Sequence, residues 1–416
     1  MIDMLGRADV IPLNRALELL NNTVFVVPEI EKAPIEDVCG RILAESITSN
    51  EDVPHYARST MDGYALRAED TFGVTETLPA YIKVTNEVIM GKSPLFHISH
   101  GEAARIPTGG MLPSGADAVI MFEHTQPFGG SDIEVLKSLA PGDNVIQKGQ
   151  DVSKATALLC RGHKIRPQDM GALAAIGVSE VLVYRKPIVS IISTGDEIVP
   201  PGIPIEGAQI RDINSYNLSG LLLNNGATPI RKGIYGDDYD TIAAVATEAI
   251  KTSQMVIITG GSSVGTMDMT ERIINGLGSP GVLFHGVAVK PGKPIIAGCV
   301  DGIPVFGLPG HPAAVTVSFE VFIKAAAVLK RLTGELLNET YHTNIKARLT
   351  SNIASQPART DFIWVKILNK DGGLYAQPIL GKSGLISTLV TADGVIEIPA
   401  ERRGLEKDEE VLVRLF

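Results

Sequence analysis

Between Pro187 and Leu332, short apolar runs alternate with segments of helical spacing, and most of the apolar runs stop abruptly at a Gly- or Pro-containing polar turn. The apolar runs predict strands at Ile188–Ser193, Pro229–Ile234, Met255–Thr259, Val282–Val289 and Pro294–Ala297. The intervening segments predict helices at Asn214–Asn225, Tyr239–Thr252, Met269–Leu277 and Pro312–Leu332. Strands that are apolar throughout must be covered on both faces, and strand–helix–strand repeats return to a sheet as parallel neighbours. The expected unit is a three-layer α/β/α domain. On such a sheet, ligands bind at the carboxyl ends of the strands.

The flanks read differently. With 416 residues the chain exceeds one ordinary core. A helix over Pro12–Leu20, starting at Pro12 or Asn14, is followed by Ile35–Ile47, a short element entering a strand. From Val53 to about Pro141 short β runs are broken by Gly and Pro, among them Tyr81–Val84, Ala118–Phe122 and Asp132–Val135. An amphipathic helix then spans Pro167–Ile176 and ends at Gly177. After Gly334 strands recur at Thr343–Leu349, Phe362–Ile367, Leu374–Pro378 and Val411–Leu415, which predicts a small β-barrel or sandwich. The chain is therefore expected to be multidomain α/β: a mixed N-terminal α/β domain from 1–52 and 143–184, a β-rich insertion at 53–142, the α/β/α domain at 185–333 and a C-terminal β-barrel-like domain at 334–416.

Acidic residues number 47 against 37 basic ones, a net charge of −10. That speaks against a general nucleic-acid binder, which needs a basic surface, but leaves room for a local cationic pocket. Cys39, Cys160 and Cys299 are too scattered for a disulfide scaffold or structural zinc site, which fits a reducing compartment. The first 15 residues lack the pattern of a signal peptide, and the longest apolar runs have strand length. A cytoplasmic protein with no membrane segment is expected.

Several turns at predicted strand ends carry chemistry-bearing residues. Ser193-Thr194-Gly195-Asp196-Glu197 sets two acids at the rim, where they either meet a ligand or cap the next element. Thr259-Gly260-Gly261-Ser262-Ser263-Val264-Gly265-Thr266-Met267-Asp268 joins a buried strand to a helix, a geometry that lets backbone N–H groups approach an anion, although it lacks the Walker pattern. Lys290-Pro291-Gly292-Lys293-Pro294 holds two lysines on a stiff turn, suited to clamping an oxyanion. Phe306-Gly307-Leu308-Pro309-Gly310-His311-Pro312 places His311, a conceivable acid or base but more commonly a satisfied loop residue, just before a helix with proline at its first turn. In the insertion, Arg58-Ser59-Thr60-Met61-Asp62-Gly63-Tyr64 and Arg105-Ile106-Pro107-Thr108-Gly109-Gly110 each read alone as turns.

Taken together and in this order, these motifs and Gly149-Gln150-Asp151 resemble the molybdopterin molybdenumtransferase family, MoeA with the gephyrin E-domain. The resemblance implies an elongated homodimer of four-domain protomers, with the third domain similar to molybdopterin adenylyltransferases. It implies a magnesium-dependent enzyme that takes adenylylated molybdopterin and molybdate, cleaves the adenylyl–phosphate bond, releases AMP and leaves molybdenum on the dithiolene. The site would be a cleft between the third domain of one subunit and the second domain of the other. Asp62, Thr108 and Asp151 would line one side, and Glu197, Asp237 and Asp268 the other, with Asp268 and Glu197 as the first choices for the metal and Asp237 supporting them. Ser263, Lys290, Lys293 and Pro294 match residues linked with the oxyanion, and Arg359 and Ser383 match a contribution from the last domain.

Three positions depart from the family pattern. His311 stands where Asn is usual, Thr266 where an acid is expected, and Gln147-Lys148 where arginines are common. An adenylyltransferase that makes the adenylylated pterin, and a gephyrin-like scaffold, are the rival readings; retention of Asp62, Glu197, Asp237 and Asp268 argues against a dead scaffold. Molybdoenzymes or cofactor chaperones would be the partners receiving the product.

Overall fold

The computed structural model describes residues 10–24, 27–260, 264–335, 344–370, 372–379 and 381–416. The helix Leu13–Thr23 opens the chain and buries Ala16 and Leu20 in the core of the α/β domain. Strand Ile30–Pro34 pairs antiparallel with Glu180–Tyr184, so segments on both sides of the insertion share one sheet and one core, which includes Leu43, Ile165, Leu173 and Val183. The helix Pro167–Ala175 ends as expected, with Gly177 in the left-handed region.

The insertion is a six-stranded sheet running from Gly63 to Val135. Its two apolar clusters draw only on residues between Ala57 and Val145, and the α/β clusters contain none of these. The insertion thus has a core of its own and stands apart from the α/β sheet.

That sheet has six strands: β1 (Ile188–Thr194), β2 (Thr228–Tyr235), β3 (Met255–Gly260), β4 (Pro280–His285), then, after the short β5 (Val289–Lys290) outside it, β6 (Ile296–Val300) and β7 (Ile303–Leu308). Their order is β2-β1-β3-β7-β6-β4. Helices α1 (Asn214–Asn224), α2 (Tyr239–Thr252) and α3 (Val264–Leu277) connect the strands. Strands β2, β1, β3 and β7 are parallel; β1, β3 and β7 are buried almost throughout, while β2, at the sheet edge, carries Arg231 and Lys232 and is half-exposed. β6, however, runs antiparallel to both β7 and β4. The expectation of a uniformly parallel sheet fails here because β6 and β7 are joined by a tight turn at Asp301-Gly302, too short for a helical crossover.

Two expected elements are broken. The run Val282–Val289 is split at Gly286, which has φ 90°. Val289–Lys290 leaves the sheet and pairs with Thr360–Asp361 of the C-terminal domain. The expected helix Pro312–Leu332 is instead α4 (Pro312–Ser318), a π-helical segment Phe319–Ala325, and α5 (Val328–Thr333), divided by Ala327 in the left-handed region. No Gly or Pro between 313 and 333 signals that break.

The C-terminal strands close on themselves. Thr360–Lys370 pairs with Gly373–Pro378 and with Gly394–Ile398, and the circuit runs on through Asn344–Leu349 and Glu410–Leu415, giving a five-stranded barrel. Phe362, Trp364 and Val395 pack into the α/β core, which seats the barrel on that domain.

Candidate active site

Because β4 is parallel to β7 while β6 is antiparallel, the ends of β1, β2, β3, β4 and β7 and the beginning of β6 all lie on one edge of the sheet. Along that edge come Asp237 after β2, Asp196 and Glu197 after β1, His311 after β7, Lys293 and Pro294 before β6, and His285 at the end of β4. The apolar strands bury their bodies and deliver polar turns to the rim. Gly260 shows how tight the rim is: at φ 137°, a Cβ there would lie 1.8 Å from the Thr194 carbonyl oxygen.

The acids at β1 and β2 form one group. The Asp237 N–H donates to Asp196 Oδ1 at 3.1 Å. The Asp237 carboxyl is raised above the ordinary aspartate value, first by partial desolvation and then by the charges of Asp196 and Glu197. Asp237 thus feels two neighbouring carboxylates at the strand edge, although among the described residues these three do not bring one oxygen each within 4.8 Å of one another. The Asp268 carboxylate lies with Glu271 and His285, one ligand atom of each within 4.8 Å of the others. Asp268 stands on α3, which follows β3, the neighbour of β1 in the sheet.

At the other end of the rim, Lys290, Lys293 and Pro294 are exposed and line a groove of about 1170 Å³ between the α/β domain and the barrel. Lys382, Ser383 and His311 line it too, above an apolar floor that includes Phe362 and Trp364. Ser383 Oγ and His311 Nδ1 are 3.2 Å apart, so His311 has a partner on the barrel. Arg359 is already engaged: Nε donates to Oδ1 of the buried Asp361 at 2.7 Å, and Nη1 donates to Gln356. Its charge is largely offset, which makes it a weaker oxyanion ligand than its sequence position implies. Ser263 lies outside the described residues.

Asp62 and Thr108 meet in the insertion. The backbone N–H and the hydroxyl of Thr108 both donate to Asp62 Oδ1, at 2.7 and 3.1 Å. Their turns follow strands Arg58–Ser59 and Glu102–Ile106 of that sub-structure. Asp151 is exposed on the neighbouring loop, its N–H bonded to the Val53 carbonyl. Asp62 and Thr108 belong to the insertion with its own core, whereas Asp151 lies beside Val152, which packs on the N-terminal core.

Residues not singled out from the sequence also shape the site. Buried Asp212 accepts from Ser193 Oγ at 2.8 Å and from both the N–H and hydroxyl of Ser215, tying the end of β1 to the start of α1. The Asn214 amide donates to the Gly310 carbonyl at 2.8 Å, steadying the turn that carries His311. Glu271 was legible as the residue three after Asp268 on a helix. His285, at the end of an apolar strand, offered no such signal.

Comparison with known proteins covers nearly the whole chain. Residues 11–177 match the family described as MoeA N-terminal region (domain I and II), residues 190–330 a probable molybdopterin binding domain, and residues 346–416 the MoeA C-terminal region (domain IV). The molybdopterin molybdenumtransferase of Bacillus subtilis is 36% identical over 393 residues, covering 93% of this chain and 90% of the relative. That of Nostoc is 34% identical over 405 residues, covering 94% and 92%. The crystal structure of a molybdopterin biosynthesis MoeA protein from Pyrococcus horikoshii superposes with a TM-score of 0.83 at 40% identity, over 98% of this chain and 99% of the other.

Proposed function

Since this chain belongs to the MoeA family of molybdopterin molybdenumtransferases, we propose that its sheet edge and barrel groove hold the two reactants of molybdenum insertion, adenylylated molybdopterin and molybdate. The enzyme is a molybdopterin molybdenumtransferase of molybdenum cofactor biosynthesis. The observation that carries the assignment of reactants is the division of charge along one rim, with carboxylates at β1 and β2 and lysines at the groove.

In this reading Glu197 and Asp237, with Asp196 beside them, hold a magnesium ion, which would neutralise phosphate oxygens at the bond to be cleaved. Asp268, the other expected ligand, joins through the resemblance alone. Lys290 and Lys293 receive the molybdate dianion through charge-assisted hydrogen bonds, with Ser383 supplying a hydroxyl. Ser263 and Pro294 complete the expected oxyanion set, and Arg359 acts mainly through its pairing with Asp361. Cleavage releases AMP, and the dithiolene sulfurs belong to the substrate, so no cysteine takes part.

Asp62 and Thr108 complete the site from the insertion of a second subunit, with Asp151 on the adjoining loop of that subunit's N-terminal domain. The separate core of the insertion supports this reading, as does the pairing of Asp62 with Thr108 on a surface apart from the rim. The four-domain division at 52, 142, 184 and 333 follows the same lines. Among the described residues no helix is long and apolar enough to cross a membrane, and we place the protein in the cytoplasm.

Glu197→Gln tests the assignment. With adenylylated molybdopterin, molybdate and magnesium supplied, AMP release should fall by at least about 100-fold while binding of the AMP moiety persists, the loss expected when a charge-stabilising group acts mainly in the transition state. Release at the wild-type rate would remove Glu197 from the mechanism. AMP formation from non-adenylylated molybdopterin and ATP would instead mark an adenylyltransferase.

A further inference from the structure

A buried hydroxyl without a hydrogen-bond partner is costly, and folded proteins keep few of them. Ser318 is such a group. It ends α4, is fully buried, and its Oγ meets no donor or acceptor among the described residues. Thr316, two residues earlier, shows what the helix offers a hydroxyl: its Oγ1 donates to the Pro312 carbonyl, four residues back, at 3.0 Å. Ser318 does not make the equivalent bond to Ala314.

What the Ser318 hydroxyl faces is the lysine turn. Gly292 stands between Lys290 and Lys293 and is buried, while both lysines are exposed. A Cβ added at Gly292 would come 3.0 Å from Ser318 Oγ and 3.6 Å from the Ala314 carbonyl oxygen, so the turn lies directly on α4 at this point. With φ 107°, Gly292 is in the region that favours glycine. Pro291 carries no N–H, and among the described residues the Gly292 N–H donates no hydrogen bond. An N–H and a hydroxyl thus sit side by side unjoined at the base of the groove, which Gly292 and Ala314 both line. The helix also changes character here. The π-helical segment Phe319–Ala325 begins at the next residue, and such widened turns are frequent at functional sites.

We propose that Ser318 is a positioning residue for the oxyanion clamp: when the groove is filled, the Gly292 N–H donates to Ser318 Oγ, the hydroxyl proton turns to the Ala314 carbonyl, and the turn is fixed with both ammonium groups on the anion. This rests on the reading that Lys290 and Lys293 receive molybdate. Two like charges on one short turn repel each other until a dianion lies between them. Drawing them together tightens the turn, and the helix beneath supplies the bond that holds it. A contact made only in the occupied state adds to affinity and not to the stability of the empty protein. Ser318 itself does not touch the reactants; it acts through the backbone of Gly292.

The test compares wild type, Ser318→Ala, Ser318→Thr and Lys293→Gln as full-length proteins, by molybdate titration at saturating adenylylated molybdopterin and by melting without ligands. Ser318→Ala should shift the molybdate midpoint roughly three- to tenfold to the right, the contribution of one neutral hydrogen bond, with affinity for the AMP moiety unchanged. Without ligand it should melt at or above the wild-type temperature, because it loses a hydroxyl that had no partner and gains a better helix former. Ser318→Thr keeps a hydroxyl and should titrate like wild type. Amide exchange at Gly292, followed by mass spectrometry of its peptide, should slow when molybdate is added to wild type and not when it is added to Ser318→Ala. An unshifted titration in Ser318→Ala overturns the proposal. So does a lower melting temperature of ligand-free Ser318→Ala, which would make the hydroxyl a structural contact of the resting protein. A Ser318→Thr titration as weak as that of Ser318→Ala overturns it too, since shape rather than the hydroxyl would then matter. Lys293→Gln separates this proposal from the reading beneath it. If Lys293→Gln shifts the titration and Ser318→Ala does not, the clamp stands and the role of Ser318 falls; if neither does, molybdate binds elsewhere and both fall.

Discussion

If the insertion of one subunit completes the rim of another, two inactive chains should rescue each other. Asp62→Ala removes the acceptor of both Thr108 hydrogen bonds, on a body whose core contains nothing from the α/β domain. Asp237→Ala removes a carboxylate from the acidic group at the ends of β1 and β2. Each homodimer then carries two broken sites. In a mixed dimer of twofold symmetry, one site receives both substitutions and the other receives neither. At fraction x of one chain, mixed dimers make up 2x(1−x) of the population with one intact site of two. Activity therefore follows x(1−x) and peaks at about a quarter of wild type in an equal mixture. Mixed dimers isolated by two different affinity tags should show about half the wild-type rate of molybdate-dependent AMP release. Tagged mixed dimers with no more activity than either parent would refute the shared site and place both half-sites within one chain.

Three further outcomes follow from particular contacts. Lys293→Gln removes one charge from the groove and keeps most of the stem; loss of a charge-assisted contact of about 1.5–3 kcal/mol should shift the molybdate titration roughly 10- to 150-fold to the right at saturating adenylylated pterin, with nucleotide affinity unchanged. Asp169 is buried and accepts from Arg166 and, at 2.7 Å, from His163, so its carboxyl is held well below the usual aspartate range, chiefly by the Arg166 side-chain hydrogen bond. A depressed folded value means its stabilisation is present above about pH 3.9 and is lost as pH falls below it; Asp169→Asn should cost about 1.5–3 kcal/mol in urea unfolding at pH 7 and much less near pH 2. Gly260→Ala drives a Cβ into the Thr194 carbonyl at 1.8 Å and strains φ 137°, which should cost more than about 2 kcal/mol; an unchanged melting temperature would show that the β1–β3 rim yields more easily than its geometry implies.

The sequence by itself determined most of the framework and several of the polar turns at its strand ends. All-apolar runs of strand length have to be buried on both faces, so β1, β3 and β7 and the helices between them could be read directly, and so could several of the polar turns they deliver to one edge. The turns that hold Glu197, Lys290 and Lys293 were legible for that reason, whereas Asp62 read alone as part of an ordinary turn and entered through the family resemblance. Periodicity is a local property, and it fails where long-range pairing takes over. It ran one strand from Val282 to Val289, because only the tertiary structure shows Gly286 turning the chain so that Val289–Lys290 can join the barrel. It ran one helix from Pro312 to Leu332, because the break at Ala327 has no residue type to announce it. The direction of β6 was equally hidden, since an apolar strand reads alike whichever way it runs. The site's sorting by partner is likewise tertiary. The engagement of Arg359 by Asp361, and the closeness of Asp268 to Glu271 and His285, are visible only in the folded chain. Which charges meet depends on strand order and packing, and no window of sequence contains those.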